Sequence, residues 1–99
     1  MGARTALIKK SQIALYPPNE YIYRASETAE EIYFIIWGKC DVYASNGDFL
    51  YSLGQGQHFG DDFEDGKVGL RTTSVKASEK VSLAVIKLED FLEICRFYP

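Results

Sequence analysis

The run "KCDVYASNGDFLYSL", residues 39–53, narrows the possible folds more than any other stretch of this chain. It sets Asn46-Gly47 between two short segments rich in β-branched and aromatic residues. Asn-Gly is the pair that accepts the positive φ angles of a two-residue type I′ turn, so the run predicts a tight antiparallel hairpin. Side chains alternate along a strand. Cys40, Val42 and Ala44 therefore share one face of the first arm, and Phe49, Tyr51 and Leu53 share one face of the second.

The same rhythm continues on both sides. "QIALYPPNEYIYR" reads as two short strands broken at Pro17 and Pro18, because proline cannot join an inner ladder. "ASETAEE" is a polar turn with helical leanings. "IYFIIWG" is too short for a stable helix and is rich in Ile and aromatics, which predicts a buried strand ended by Gly38, with Trp37 packed at its end. "GQGQHF" is a glycine-marked turn into a short strand. "LRTTSVKA" and "VSLAVIKL" are two more strands joined by the polar turn "SEK". Only the final segment, "LEDFLEICRFYP", changes period. Its Leu88, Phe91, Leu92 and Cys95 fall on one helical face, and Glu89 and Asp90 stand in the first turn, where the helix dipole favours carboxylates.

About eight short strands with frequent turns and one terminal helix predict a mainly β domain. The expected form is an eight-stranded antiparallel β-roll, jelly-roll-like, with short flanking α-helices. Residues 1–10 read as a lead or the end of a preceding helix, residues 11–88 as the roll, and residues 89–99 as the start of a helical segment. The closing "FYP" reads as a boundary inside a longer protein.

The chain has 99 residues, room for a single core, with 46% hydrophobic residues and a net charge of -3. That charge argues against a broad nucleic-acid surface. No apolar run approaches the roughly 20 residues of a membrane span, and no secretory signal is visible, so a cytoplasmic setting is expected, either free or as the cytosolic part of a membrane protein. Cys40 and Cys95 do not make a disulfide scaffold and read as reduced core residues. Catalysis is hard to build. The single histidine, His58, argues against a multi-histidine metal centre and reads as structural, and neither a nucleophile–base pair nor a phosphate-loop motif is present.

The most chemically suggestive stretch is "HFGDDFEDGKVGLRTTSV", residues 58–75. In the strand that follows the glycines, Arg71 and Thr73 are in phase with the apolar Val75 and Ala77, so the guanidinium is expected to face inward. A buried charge is costly unless paired, so Arg71 calls for an anion. Gly60, Gly66 and Gly69 let backbone N–H groups converge, as in nests that hold phosphate. Asp62, Glu64 and Asp65 offer a second possibility, an internal ion pair with Arg71.

Taken together, "YPPNEYIYRASE", "EEIYFIIWGKCDVYASNG", "LGQGQHFGD", "RTTSV" and "LEDFLEICRFYP" resemble the cyclic nucleotide-binding domain family, in order and spacing, over residues 15–99. The resemblance implies a β-roll with a phosphate-binding cassette at residues 59–73, cyclic AMP or cyclic GMP as ligand rather than a metal or cofactor, and a C-terminal lid helix beyond this segment. It implies that Arg71 pairs with the cyclic phosphate and that the Gly60 backbone meets the ribose-phosphate. Asp61 falls where a glutamate usually accepts from the ribose hydroxyl, one methylene shorter. Asp62 lies beside it in the cassette. Thr72 matches the threonine that channel-type and cyclic-GMP-kinase-type members carry, Thr73 follows it, and Val42, Tyr51 and Leu53 fall on strands of the purine wall. "FGD" is similar to the ether-à-go-go type of potassium channel, whose equivalent domain does not depend on nucleotide, although that group commonly lacks the arginine kept here. The resemblance thus implies a regulatory domain of a gated cation channel, whose parent is homotetrameric, with cyclic nucleotide and neighbouring domains as partners. The alternative is a ligand-independent interaction module in which the acidic loop pairs Arg71.

Overall fold

The computed structural model describes residues 11–61 and 69–97. Its strands are β1 (Gln12–Tyr16), β2 (Tyr21–Tyr23), β3 (Glu31–Trp37), β4 (Cys40–Ala44), β5 (Phe49–Leu53), β6 (His58–Phe59), β7 (Thr73–Ala77) and β8 (Val81–Lys87), followed by helix α1 (Leu88–Phe97). They form two antiparallel sheets, ordered β1-β8-β3-β6 and β2-β7-β4-β5. The expected mainly β, jelly-roll-like architecture is therefore present.

The core lies between the sheets. Tyr23, Val42 and Val75 from one sheet meet Tyr33, Ile35, Phe59, Val81 and Leu83 from the other. Alternation explains the assignment: Val75 and Ala77 are buried on β7, whereas Ser74 and Lys76, which alternate with them, are only partly covered. Cys40 is fully buried, and burial pushes its thiol pKa up to about 12 with help from the charge of Asp41. The side chain of Cys95 lies outside the described ones.

Several local expectations change. The β4–β5 hairpin does not use a two-residue type I′ turn. Among its central residues only Gly47 has positive φ, at 96°. Gly47 N–H donates to the Ala44 carbonyl at 2.9 Å and Ala44 N–H to the Asp48 carbonyl at 2.8 Å, which makes a three-residue loop. Asn46 contributes through its side chain instead, accepting from Asp48 N–H at 2.9 Å. Val42 pairs with Tyr51 but Tyr43 with Phe49, so Leu50 is a bulge and the second arm does not keep one face throughout. β3 is buried only in its first part. After Ile35 its register with β8 shifts, and Trp37 is 42% exposed rather than packed. On α1, Leu88 and Ile94 are buried while Phe91 and Leu92 are only half-buried, so the inner face is rotated toward Ile94.

"ASETAEE" forms no helix. Its backbone is stitched to the segment before β7: Ser26 N–H donates to the Arg71 carbonyl at 2.8 Å, Arg71 N–H to the Glu27 carbonyl at 2.7 Å, and Ala29 N–H to the Gly69 carbonyl at 2.7 Å. Those partners satisfy backbone groups that a helix would otherwise have paired internally.

Candidate functional site

Arg71 sits two residues before the start of β7, with its main chain clamped by Ser26 and Glu27. The strand's parity turns its side chain inward, as expected, and it is only 4% exposed. Its Nη1 donates to the Gly60 carbonyl and its Nη2 to the Glu31 carbonyl, each at 2.6 Å. The guanidinium carbon lies 4.0 Å from the centre of the Tyr23 ring and 5.9 Å from that of Tyr33. Among the described residues, two carbonyl dipoles and an aromatic face receive part of the charge. The expected pairing with Asp62, Glu64 or Asp65 falls outside the described residues. Hydrogen bonds involving a charged group contribute about 1.5–3 kcal/mol each, and a desolvated cation–π contact about 2 kcal/mol. Together these offset a desolvation cost of several kcal/mol.

Gly60 is the other half of this arrangement. Its φ of +95° lies in the left-handed region, and a Cβ there would stand 3.0 Å from the Glu31 carbonyl oxygen, 3.1 Å from Tyr33 Cδ1 and 3.2 Å from Arg71 Nη1. Only glycine lets the turn after β6 press its carbonyl onto the arginine. Tyr33 supports the opposite side, stacked on Phe59 at 5.0 Å and donating from its hydroxyl to Glu31 Oε1 at 3.0 Å. Burial, then the charge of Glu31 and that hydrogen bond, raise the Tyr33 pKa well above the usual phenol range.

In front of this cluster is a cleft of about 180 Å³. It gathers Gly60, Asp61, Thr72, Thr73, Val42, Tyr51 and Leu53, all singled out from the sequence. Thr72 and Asp61 are exposed at its mouth, Val42 is buried at its floor, and Tyr51, 52% exposed, forms a rim. Arg71 stands behind Gly60 rather than in the cleft lining. Asp62, with Glu64, Asp65 and Gly66, lies outside the described residues.

Four further residues belong to the cleft. Tyr23, Phe59 and Val75 line it. Tyr23 was legible only as one tyrosine in "YIYR". His58, read as structural, also lines the cleft, and its Nε2 lies 3.3 Å from Asp61 Oδ2. Both partners of that pair are more than half exposed, so the contact orients Asp61 more than it stabilises the fold.

The cleft connects to the helix by a short route. Arg71 holds the carbonyl of Glu31, and the preceding residue, Glu30, accepts from Leu88 N–H, the first residue of α1, at 2.8 Å.

Comparison with known proteins decides the family. The profile of the cyclic nucleotide-binding domain matches residues 14–98. The chain belongs to the cyclic nucleotide-binding domain family. It is 30% identical over 98 residues to the Drosophila melanogaster potassium voltage-gated channel protein eag, covering 98% of this chain and 8% of that protein. It is also 30% identical over 95 residues to the mouse potassium/sodium hyperpolarization-activated cyclic nucleotide-gated channel 2, covering 96% of this chain and 11% of that channel. The chain thus spans about a tenth of these relatives.

Among solved structures, the Thermus thermophilus catabolite activator protein superposes with a TM-score of 0.84 at 25% identity, covering 99% of this chain and 47% of that one. The C-linker and cyclic nucleotide-binding homology domain of zELK channels, crystallized in the presence of cAMP, superposes at 0.82 with 26% identity, covering 99% and 50%. These relatives place the cyclic nucleotide-binding domain among channel and activator proteins, where it is regulatory rather than catalytic. No described helix is long and apolar enough to cross a membrane.

Proposed function

We propose that this domain is a cytoplasmic sensor of cyclic AMP or cyclic GMP, carried by a gated cation channel whose parent assembles as a homotetramer. The observation that carries the reading is the cleft itself: the Gly60 turn, Asp61 and Thr72–Thr73 face an apolar wall of Val42, Tyr51 and Leu53, with Arg71 preset behind the glycine. Phosphate oxygens suit the guanidinium fork and the threonine hydroxyls. Asp61 suits a ribose hydroxyl, and the wall suits a purine. The cassette is residues 59–73 within a roll at 11–88, and 89–99 lead into the responding helices.

Coupling is a population shift. A bound phosphate competes with the carbonyls of Gly60 and Glu31 for Arg71, and the Glu30–Leu88 hydrogen bond carries the adjustment toward α1. Ligand moves the equilibrium only by its differential affinity for the two arrangements.

A second reading has its own support. Arg71 already holds two carbonyls and a tyrosine ring, as it would in a ligand-independent docking module, and one relative's name, unlike the other's, does not mention nucleotide gating. Thermal unfolding with added cyclic AMP and cyclic GMP separates the two readings. Ligand at about 100 times its Kd stabilises by roughly 2.7 kcal/mol, a Tm rise of more than about 10 °C for a domain of this size. No rise at millimolar ligand, in this chain and in a longer one that includes the following helix, favours the docking module.

A further inference from the structure

We infer that Tyr23 is a positioning residue for Arg71, holding the plane of the guanidinium so that its charge is presented to the anionic group of the ligand. This rests on the reading that Arg71 receives the cyclic phosphate. The two carbonyls grip the guanidinium at Nη1 and Nη2, each at 2.6 Å. The Tyr23 ring, 4.0 Å from the guanidinium carbon, covers one face of that planar group and so constrains its tilt.

The ring is itself held firmly. It is the last residue of β2, pairs with Val75 of β7 and is 6% exposed. Its ring packs 5.8 Å from Tyr33 and 5.9 Å from Phe59, which stack on each other. An aliphatic side chain would fill the space without the ring's negative face, which is what attracts a cation. Tyr21, two residues earlier, sits instead beneath Arg24 at 4.1 Å, with Lys76 at 5.5 Å. "YIYR" therefore carries two cation–π platforms, and only the second serves the cleft.

The test compares Tyr23→Phe, Tyr23→Leu and Tyr23→pentafluorophenylalanine by calorimetric titration with cyclic AMP and cyclic GMP, and by the side-chain Nε–H signal of Arg71 in ligand-free protein. Tyr23→Phe keeps affinity within about twofold and keeps the ring-shifted arginine signal. Tyr23→Leu weakens binding about tenfold and removes the Tyr23 ring shift from that signal. The pentafluoro variant keeps the shape and inverts the ring's charge distribution, so it separates positioning from packing even where Tyr23→Leu does not fold, and it too weakens binding about tenfold. Wild-type affinity in the pentafluoro variant overturns the inference, and so does an arginine signal unmoved in Tyr23→Leu. Where wild-type protein binds neither nucleotide, the sensor reading fails. The arginine signal then decides the positioning role alone: an altered signal in the pentafluoro variant upholds it, and an unaltered one overturns it.

Discussion

Gly60→Ala isolates the close approach on which the site depends. The added Cβ meets the Glu31 carbonyl oxygen at 3.0 Å, Tyr33 Cδ1 at 3.1 Å and Arg71 Nη1 at 3.2 Å. None of these can swing away cheaply. The carbonyl belongs to the first residue of β3, the Tyr33 ring is stacked on Phe59, and the guanidinium is held by two carbonyls. Overpacking of this kind costs about 1–3 kcal/mol. Forcing a Cβ into left-handed backbone adds roughly 1–2 kcal/mol. Gly47→Ala is the internal control, because Gly47 has nearly the same φ, +96°, and nothing within 4 Å of its Cβ position. The difference between the two variants is therefore the contact cost alone, about 1–3 kcal/mol, or roughly 4–24 °C in Tm for a domain of this size. Thermal unfolding followed by circular dichroism, without ligand, measures it. Melting of the two variants within about 2 °C of each other would refute the claim that the Gly60 backbone is pressed against Arg71 and Glu31.

Two further outcomes follow from the same geometry. Arg71→Ala removes two short bonds to carbonyls and a cation–π contact, so it abolishes any nucleotide-induced Tm rise and also destabilises the ligand-free domain by about 2–4 kcal/mol, measured by urea unfolding; unchanged stability would mean that the clasp contributes nothing. On the alkaline side, Cys40 has a folded pKa of about 12 against an ordinary 9.0, so folded protein keeps its proton where unfolded protein has lost it. Its contribution is intact below about pH 9 and is lost as pH rises toward 12, with Tyr33 acting in the same direction above pH 10. Urea midpoints that do not fall between pH 9 and 11 would contradict this.

Much of this molecule is readable from local pattern. The proline break after Tyr16, the hairpin, the alternation on β7 and the change of period at Leu88 each reflect a periodicity or a turn preference. From that alternation alone Arg71 is seen to point inward. What escapes is set by tertiary contact. The Asn46-Gly47 loop takes one more residue because Leu50 bulges, which no local preference announces. Trp37 is exposed because β3 slips against β8, and Ile94 turns inward because α1 packs on β3 and β8. Two partners of Arg71 escape for a different reason. A backbone carbonyl has no sequence signature, so nothing on paper announces the Gly60 and Glu31 carbonyls that folding brings into range. His58 joins the cleft through Asp61, a short-range pairing that an unaccompanied histidine in a sequence does not advertise.

The sheet orders carry a consequence for how the protein comes into being. β1 and β3 are not neighbours until β8 enters between them, and β2 and β4 are not neighbours until β7 does. Strands β7 and β8 are thus made after the other strands of the roll, and each acts as a keystone for strands made long before it. Pairing across such sequence distances is slow, and the earlier strands wait with raw edges open to wrong partners. The segment that bears Arg71 leads directly into β7, so its anchorage to residues 26–29 and the closure of that sheet occur together. A half-made domain therefore has no cleft, and any response to a small molecule is reserved for chains that have finished folding.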